Sequence, residues 1–159
     1  MGNPEFRRQI ELPDMRATEA LAARIASGIR AGDAVALEGD LGAGKTALAR
    51  AILVALDVSE TVPSPTFTLV QHYETARLSV SHFDLYRIKT ESELDELGFD
   101  DALANGAALI EWPERAPHRI PADALHVHLM AAGESARRAT LSGPQRWMEI
   151  FASEAAHVR

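Results

Sequence analysis

One stretch, Gly39-Asp40-Leu41-Gly42-Ala43-Gly44-Lys45-Thr46, constrains this chain more than any other. It has the pattern G-x-x-x-x-G-K-T, a loop whose backbone wraps phosphate groups. The loop needs a buried strand before it and a helix after it. Ala34-Val35-Ala36-Leu37-Glu38 is a short apolar run that fits the strand. Leu48, Ile52 and Leu56 recur every four residues behind the motif and predict a helix over 45–56 with one apolar stripe. The residue types follow from the ligand. Polyphosphate carries dense negative charge and many acceptor oxygens. Inward-turned N–H groups, together with the unpaired donors and partial positive charge of a helix N-terminus, make an anion site. Glycines at 39, 42 and 44 let the backbone take positive φ and approach closely. Lys45 is expected to reach the β/γ oxygens of ATP and Thr46 to offer its hydroxyl to Mg²⁺. The acidic neighbours Glu38 and Asp40 raise the need for that cation. A glycine-rich turn with no ligand is the alternative, and the agreement of motif and context counts against it.

Bulk properties narrow the function. A length of 159 residues with 47% hydrophobic composition predicts a single domain with a real core. Proteins that grip nucleic acid through their own surface are usually basic; here the net charge is −7, which argues against autonomous RNA or DNA binding. With no cysteine, disulfides and thiolate metal sites are excluded. No apolar run approaches the roughly 20 residues of a membrane span, and no signal-peptide core is visible, so a cytoplasmic protein is expected. Residues 1–9 stand outside the fold argument, with Met1–Phe6 read as an expression scar.

Along the chain, Ile10–Pro13 reads as a short edge strand. Thr18 reads as the N-cap of a helix over 19–30, with Leu21, Ile25 and Ile29 on its apolar stripe and Gly32 at its C′ position. Pro63 and Pro65 make 62–68 a loop, and Thr66 stands where nucleotide hydrolases often keep a γ-phosphate switch. Phe67–Tyr73 and Leu78–Tyr86 read as strands, with Asp84 near the end of the second. Ser92–Phe99 reads as an exposed helix with Leu94 and Leu97 inward.

Ala107-Ala108-Leu109-Ile110-Glu111-Trp112-Pro113 is the second informative stretch. A continuous apolar run fits a strand buried on both faces. Its terminal acid, Glu111, is the expected metal-organising carboxylate, preferred over Asp84 because the run before it is wholly apolar. Trp112 either covers the site or packs in the core. Ala124–Met130 alternates as a strand with His126 and His128 on one face, read as a solvated pair for want of a third metal ligand. Ala136–Leu141 is a further strand, broken by Gly143-Pro144, and 145–157 a terminal helix with Trp147, Ile150 and Phe151 on one side.

Four blocks together resemble the bacterial TsaE (YjeE) family: the phosphate loop, Ser64-Pro65-Thr66-Phe67-Thr68-Leu69-Val70, His82-Phe83-Asp84-Leu85-Tyr86-Arg87, and Glu111-Trp112-Pro113. The likeness runs over roughly residues 10–141. It implies an α/β fold, a P-loop NTPase-like sandwich with a mostly parallel central sheet flanked by helices. It implies an ATP hydrolase used in forming N6-threonylcarbamoyladenosine (t6A) at position 37 of tRNAs that read codons starting with A. Such a protein binds the TsaB–TsaD heterodimer and supports its turnover, meets tRNA only through that complex, and does not itself transfer the threonylcarbamoyl group. Residue by residue, the resemblance assigns Asp40, Leu41, Gly42, Ala43, Gly44, Lys45 and Thr46 to the nucleotide. It assigns Thr46 and Glu111 to Mg²⁺, and Thr66, Asp84 and Glu111 to catalysis. Trp112 stands beside the acid, Thr18 near the adenine, and Arg137 toward the nucleotide. No arginine finger is evident in cis beyond Arg87 and Arg137, which predicts slow hydrolysis alone and faster hydrolysis with a partner. A small-molecule kinase, with Pro113–Pro121 as a lid bearing Arg115 and Arg119, is the competing enzyme. A nucleotide-gated binding module is the non-enzymatic one.

Overall fold

The strand–loop–helix unit lies at the centre of a single sheet. A computed structural model describes residues 6–58 and 68–157. In chain order these form β1 (Phe6–Leu12), α1 (Met15–Gly28), β2 (Ala34–Glu38), α2 (Lys45–Ala55), β3 (Val70–Glu74) and β4 (Ser79–Asp84). Then come α3 (Glu93–Glu96), α4 (Phe99–Asn105), β5 (Gly106–Glu111), β6 (Leu125–Ala131), β7 (Arg137–Gly143) and α5 (Arg146–His157). Among the described residues, the seven strands are ordered β1-β7-β6-β2-β5-β4-β3. The middle four, β6, β2, β5 and β4, run parallel; β7 and β3 run antiparallel to them, and β1 pairs antiparallel with β7.

β2 and β5 are central because they are apolar on both faces. Val35, Leu37, Ala107 and Leu109 enter the larger core cluster with residues of α1, α2 and α5; Ala34, Ala108 and Ile110 enter the smaller one with Leu94 and Phe99. This places the C-terminal ends of the parallel strands beside the N-terminus of α2. Open parallel sheets bind ligands at such ends.

Several boundaries differ from the sequence reading. α1 begins a turn earlier than expected: Asp14, not Thr18, is its N-cap, with the Asp14 side chain accepting from Ala17 N at 3.0 Å. Thr18 lies within the first turns of the helix. α1 also stops at Gly28, so Gly32, with φ +96, serves the following turn and not a C′ position. Arg77 ties off the helix end by donating to the carbonyls of Ala26 (2.8 Å) and Ile29 (2.5 Å). β1 starts at Phe6, whose ring is 6% exposed and stacks 5.8 Å from Phe151, so residues 6–9 belong to the sheet. The expected helix 92–99 is two short helices, α3 and α4, parted by Gly98 at φ +74; Phe99 opens the second and packs edge-on against Phe83.

Candidate nucleotide-binding site

The loop between β2 and α2 takes positive φ at Gly39 (+142), Gly42 (+81) and Gly44 (+107). At Gly39 a Cβ would lie 2.5 Å from the Leu129 carbonyl oxygen, so the glycine is required by space as well as by backbone angle. Lys45 opens α2 and folds back, donating to the carbonyls of Gly39 (2.5 Å) and Asp40 (2.9 Å). Its Nζ also stands 4.0 Å from the centroid of the Trp112 ring. Burial lowers the Lys45 pKa, against the attraction of Glu111, Glu114, Asp84 and Asp40, which raises it.

Thr46, one residue further into α2, donates to Glu111 at the end of β5: Oγ1 is 2.8 Å from Oε1 and 3.0 Å from Oε2. Glu111 is only 2% exposed. Asp84 is its register partner on β4 and accepts from Tyr86 N at 3.1 Å. The parallel pairing of β4 with β5 thus sets two carboxylates side by side at the strand ends. Trp112 follows Glu111 in the left-handed region (φ +60), a strained place for a bulky residue. Its ring packs 4.8 Å from that of Tyr86. Trp112 therefore stands at the site, half-buried, and not in the interior.

A cleft of about 390 Å³ is bounded by Gly42, Lys45, Thr46, Asp84, Arg87 and Trp112. A second, of about 230 Å³, lies past Gly44 and Ala47 and holds Thr18, Leu129, Ser135 and Arg137. Gly44 and Ala47 line both, so the two clefts meet across the loop. Arg137 reaches the loop from β7, donating through Nε to Ala43 O (2.9 Å) and through Nη2 to Gly42 O (3.1 Å). Asp40 and Leu41 form the outer arc, with Leu41 71% exposed. Thr66 lies outside the described residues.

All-oxygen donors, the Thr46 hydroxyl and the Glu111 carboxylate, suit a hard cation such as Mg²⁺, which binds through few protein ligands and completes its shell with phosphate and water. Their 2.8 Å contact puts both within reach of one ion. The His126–His128 face is partly solvated, as expected, and both rings also stand beside Glu38. His126 Nδ1 lies 2.8 Å from Glu38 Oε2, and His128 Nδ1 3.7 Å from Oε1. The bond to His126 holds the Glu38 carboxyl below its usual range, outweighing the opposing effect of burial. Among the described residues no group of three or more histidine and acidic side chains is arranged to hold a metal.

Two contributors had no assigned role in the sequence reading. His82, fully buried on β4, places Nε2 2.7 Å from Glu111 Oε2. Tyr86 supplies the ring beneath Trp112. Strand periodicity was the available signal for the first: His82 and Asp84 are two apart, so they share a face. Of the lid suggested for a kinase, Arg119 is pinned away from the cleft by Asp95 (2.9 Å) and Asp100 (3.1 Å), while Arg115 lies over Tyr86 at the cleft wall.

Comparison with known proteins agrees with this architecture. Residues 12–139 match the family model described as threonylcarbamoyl adenosine biosynthesis protein TsaE. The chain is 40% identical over 121 residues to a Rickettsia felis protein named tRNA threonylcarbamoyladenosine biosynthesis protein TsaE, covering 76% of this chain and 71% of that one. It is 34% identical over 138 residues to the Bacillus subtilis protein of the same name, covering 86% of each. The crystal structure of Bacillus subtilis YdiB superposes with a TM-score of 0.78 at 26% identity over 96% of both chains. Motif, sheet and these matches together establish that the chain belongs to the TsaE family.

Proposed function

We propose that this protein is a magnesium-dependent ATP hydrolase serving t6A formation on tRNA, its turnover coupled to a TsaB–TsaD complex in the cytoplasm. The names of its relatives support the pathway. The observation that carries the hydrolase is the 2.8 Å contact between Thr46 and Glu111 at the mouth of the phosphate loop.

In this reading the loop amides from Leu41 to Thr46 and the Lys45 ammonium hold the β- and γ-phosphates, and Gly42 and Gly44 allow the close approach. Thr46 and Glu111 would hold Mg²⁺, which would supply charge neutralisation and polarisation at the terminal phosphoryl group. Asp84, beside Glu111, orients the attacking water. Trp112 and Tyr86 wall one side and exclude bulk solvent. The nucleoside enters the cleft past Gly44, between Thr18 and Arg137. Arg137 keeps its guanidinium on the loop carbonyls, so its role is to brace the loop. Arg87, which borders the phosphate cleft, is then the cis arginine nearest the developing charge, and the partner complex organises it or adds its own.

The test is the fate of labelled γ-phosphate, with protein alone and with TsaB–TsaD. Release as free phosphate, slow alone and faster with the complex, is expected. Transfer to an organic acceptor would make the protein a kinase. Glu111→Gln should lower the rate by about 10²–10³-fold, on the order of losing one main electrostatic contact in a transition state. Undiminished support of t6A formation by that variant would leave only a binding module.

A further inference from the structure

We propose that His82 is a positioning residue for the metal carboxylate: its Nε2–H holds one oxygen of Glu111 so that the other is presented to Thr46 and the magnesium ion. The proposal deepens the hydrolase reading and rests on it. A carboxylate offers acceptors only, so the 2.7 Å contact requires the proton on His82 Nε2. Oε2 takes His82 at 2.7 Å and also lies 3.0 Å from the Thr46 hydroxyl, whereas Oε1, the closer partner of Thr46 at 2.8 Å, has no contact with His82. His82 therefore fixes the inner oxygen and leaves Oε1 as the one presented outward.

The cost of this arrangement is visible. His82 has no solvent exposure, and its Nδ1 has no hydrogen-bond partner among the described residues. A buried unpaired polar atom costs about 1–3 kcal/mol. Aliphatic side chains fill the neighbouring position on the same strand face: Val80 packs into the larger core cluster. A leucine at 82 would serve packing without an orphaned nitrogen. What an aliphatic residue lacks is an N–H aimed at Glu111. Without it, a flexible acidic side chain at the end of β5 keeps one tether, the Thr46 hydroxyl. That hydroxyl is the group required to turn toward the metal when nucleotide binds. His82 is the tether that does not have to move. Outer-shell hydrogen bonds of this kind are worth about 10–100-fold in metal affinity.

The experiment measures ATP affinity by calorimetry across a Mg²⁺ series, and in EDTA, for the intact protein. Circular dichroism melts establish that each variant is folded. His82→Leu should need about 10–100-fold more Mg²⁺ to reach its half-maximal gain in ATP affinity, while affinity in EDTA stays within about threefold. His82→Gln, whose amide N–H can replace Nε2–H, should recover most of the wild-type Mg²⁺ requirement. An unchanged Mg²⁺ midpoint in folded His82→Leu overturns the proposal, as does a loss that His82→Gln fails to rescue. If His82→Leu does not fold, His82→Gln is compared with His82→Asn, whose amide is too short to reach Glu111. Equal midpoints for those two overturn it. A wild-type protein whose ATP affinity ignores Mg²⁺ removes the hydrolase reading itself, whereas a wild-type response preserved in His82→Leu removes only the role of His82.

Discussion

Lys45 has the most to gain from a bound triphosphate. Burial penalises its charge, and its ammonium is shared between two loop carbonyls, groups that give weaker partners than phosphate oxygens. Lys45→Ala should therefore abolish measurable ATP binding in calorimetry while thermal stability changes by less than about 1 kcal/mol, since a desolvated charge is removed along with its bonds. Retained binding would contradict the phosphate-loop assignment. Glu38 gives a pH prediction. Its folded pKa is lowered below 4.5 by His126, so the stabilisation is present above that value and is lost as pH falls through the folded one. In a carboxyl NMR titration, His126→Ala should move the Glu38 midpoint upward; an unmoved midpoint refutes the pairing. At this scale the sequence anticipated which side chains the fold brings together, as with Thr46 and Glu111, because a strand–loop–helix unit and the apolar strand beside it fix where they stand. It was uninformative about His82, because a histidine's role depends on what faces each ring nitrogen. Thr18 shows the same limit: two side chains four apart can each cap a helix, and Asp14 is the one that reaches an open N–H.

Elements whose apolar period is unbroken were readable from the chain alone. β2, α2 and β5 fall within a residue or so of expectation, and these three carry the phosphate loop, Thr46 and Glu111. Of the misread elements, α3 and α4 are short and depend on tertiary contacts, Phe99 being held by Phe83, whereas the long α1 was misplaced only at its ends, where capping side chains decide. The loop itself tolerates little. Gly39→Ala combines a positive φ with a Cβ 2.5 Å from a backbone oxygen of β6, which cannot swing aside as a side chain tip could. Urea unfolding should show a loss of about 1–3 kcal/mol or more, with ATP affinity falling in parallel. Wild-type stability in this variant would mean the loop is not seated against β6. Phe151 anchors α5 by stacking on Phe6 of β1, with Trp147 beside it on the same helix, and Phe151→Ala should cost about 3–5 kcal/mol. Because α5 lies outside the family match of residues 12–139, that loss should leave ATP affinity of the remaining folded protein unchanged.

On the scale of the whole molecule, the sheet delivers His82, Asp84 and Glu111 to one end and one face, with Glu38, His126 and His128 on the other face. Parallel pairing aligns β4 with β5, and α2 covers the face on which His82, Asp84 and Glu111 lie. Among the described residues no helix is long and apolar enough to cross a membrane. A net charge of −7 opposes tRNA, so at physiological salt the protein alone should bind tRNA no more tightly than the ~10⁻⁴–10⁻⁶ M of non-specific contact. Filter retention at nanomolar protein would contradict a tRNA contact made only through partners. The central claim is that one ion sits between α2 and β5 on the phosphates. A crystal grown with Mn²⁺ in place of Mg²⁺ and a non-hydrolysable ATP analogue tests it by anomalous scattering. The account predicts a single peak within about 2–2.5 Å of Thr46 Oγ1 and in contact, directly or through one water, with Glu111; a metal bound with its phosphates away from both residues would contradict it.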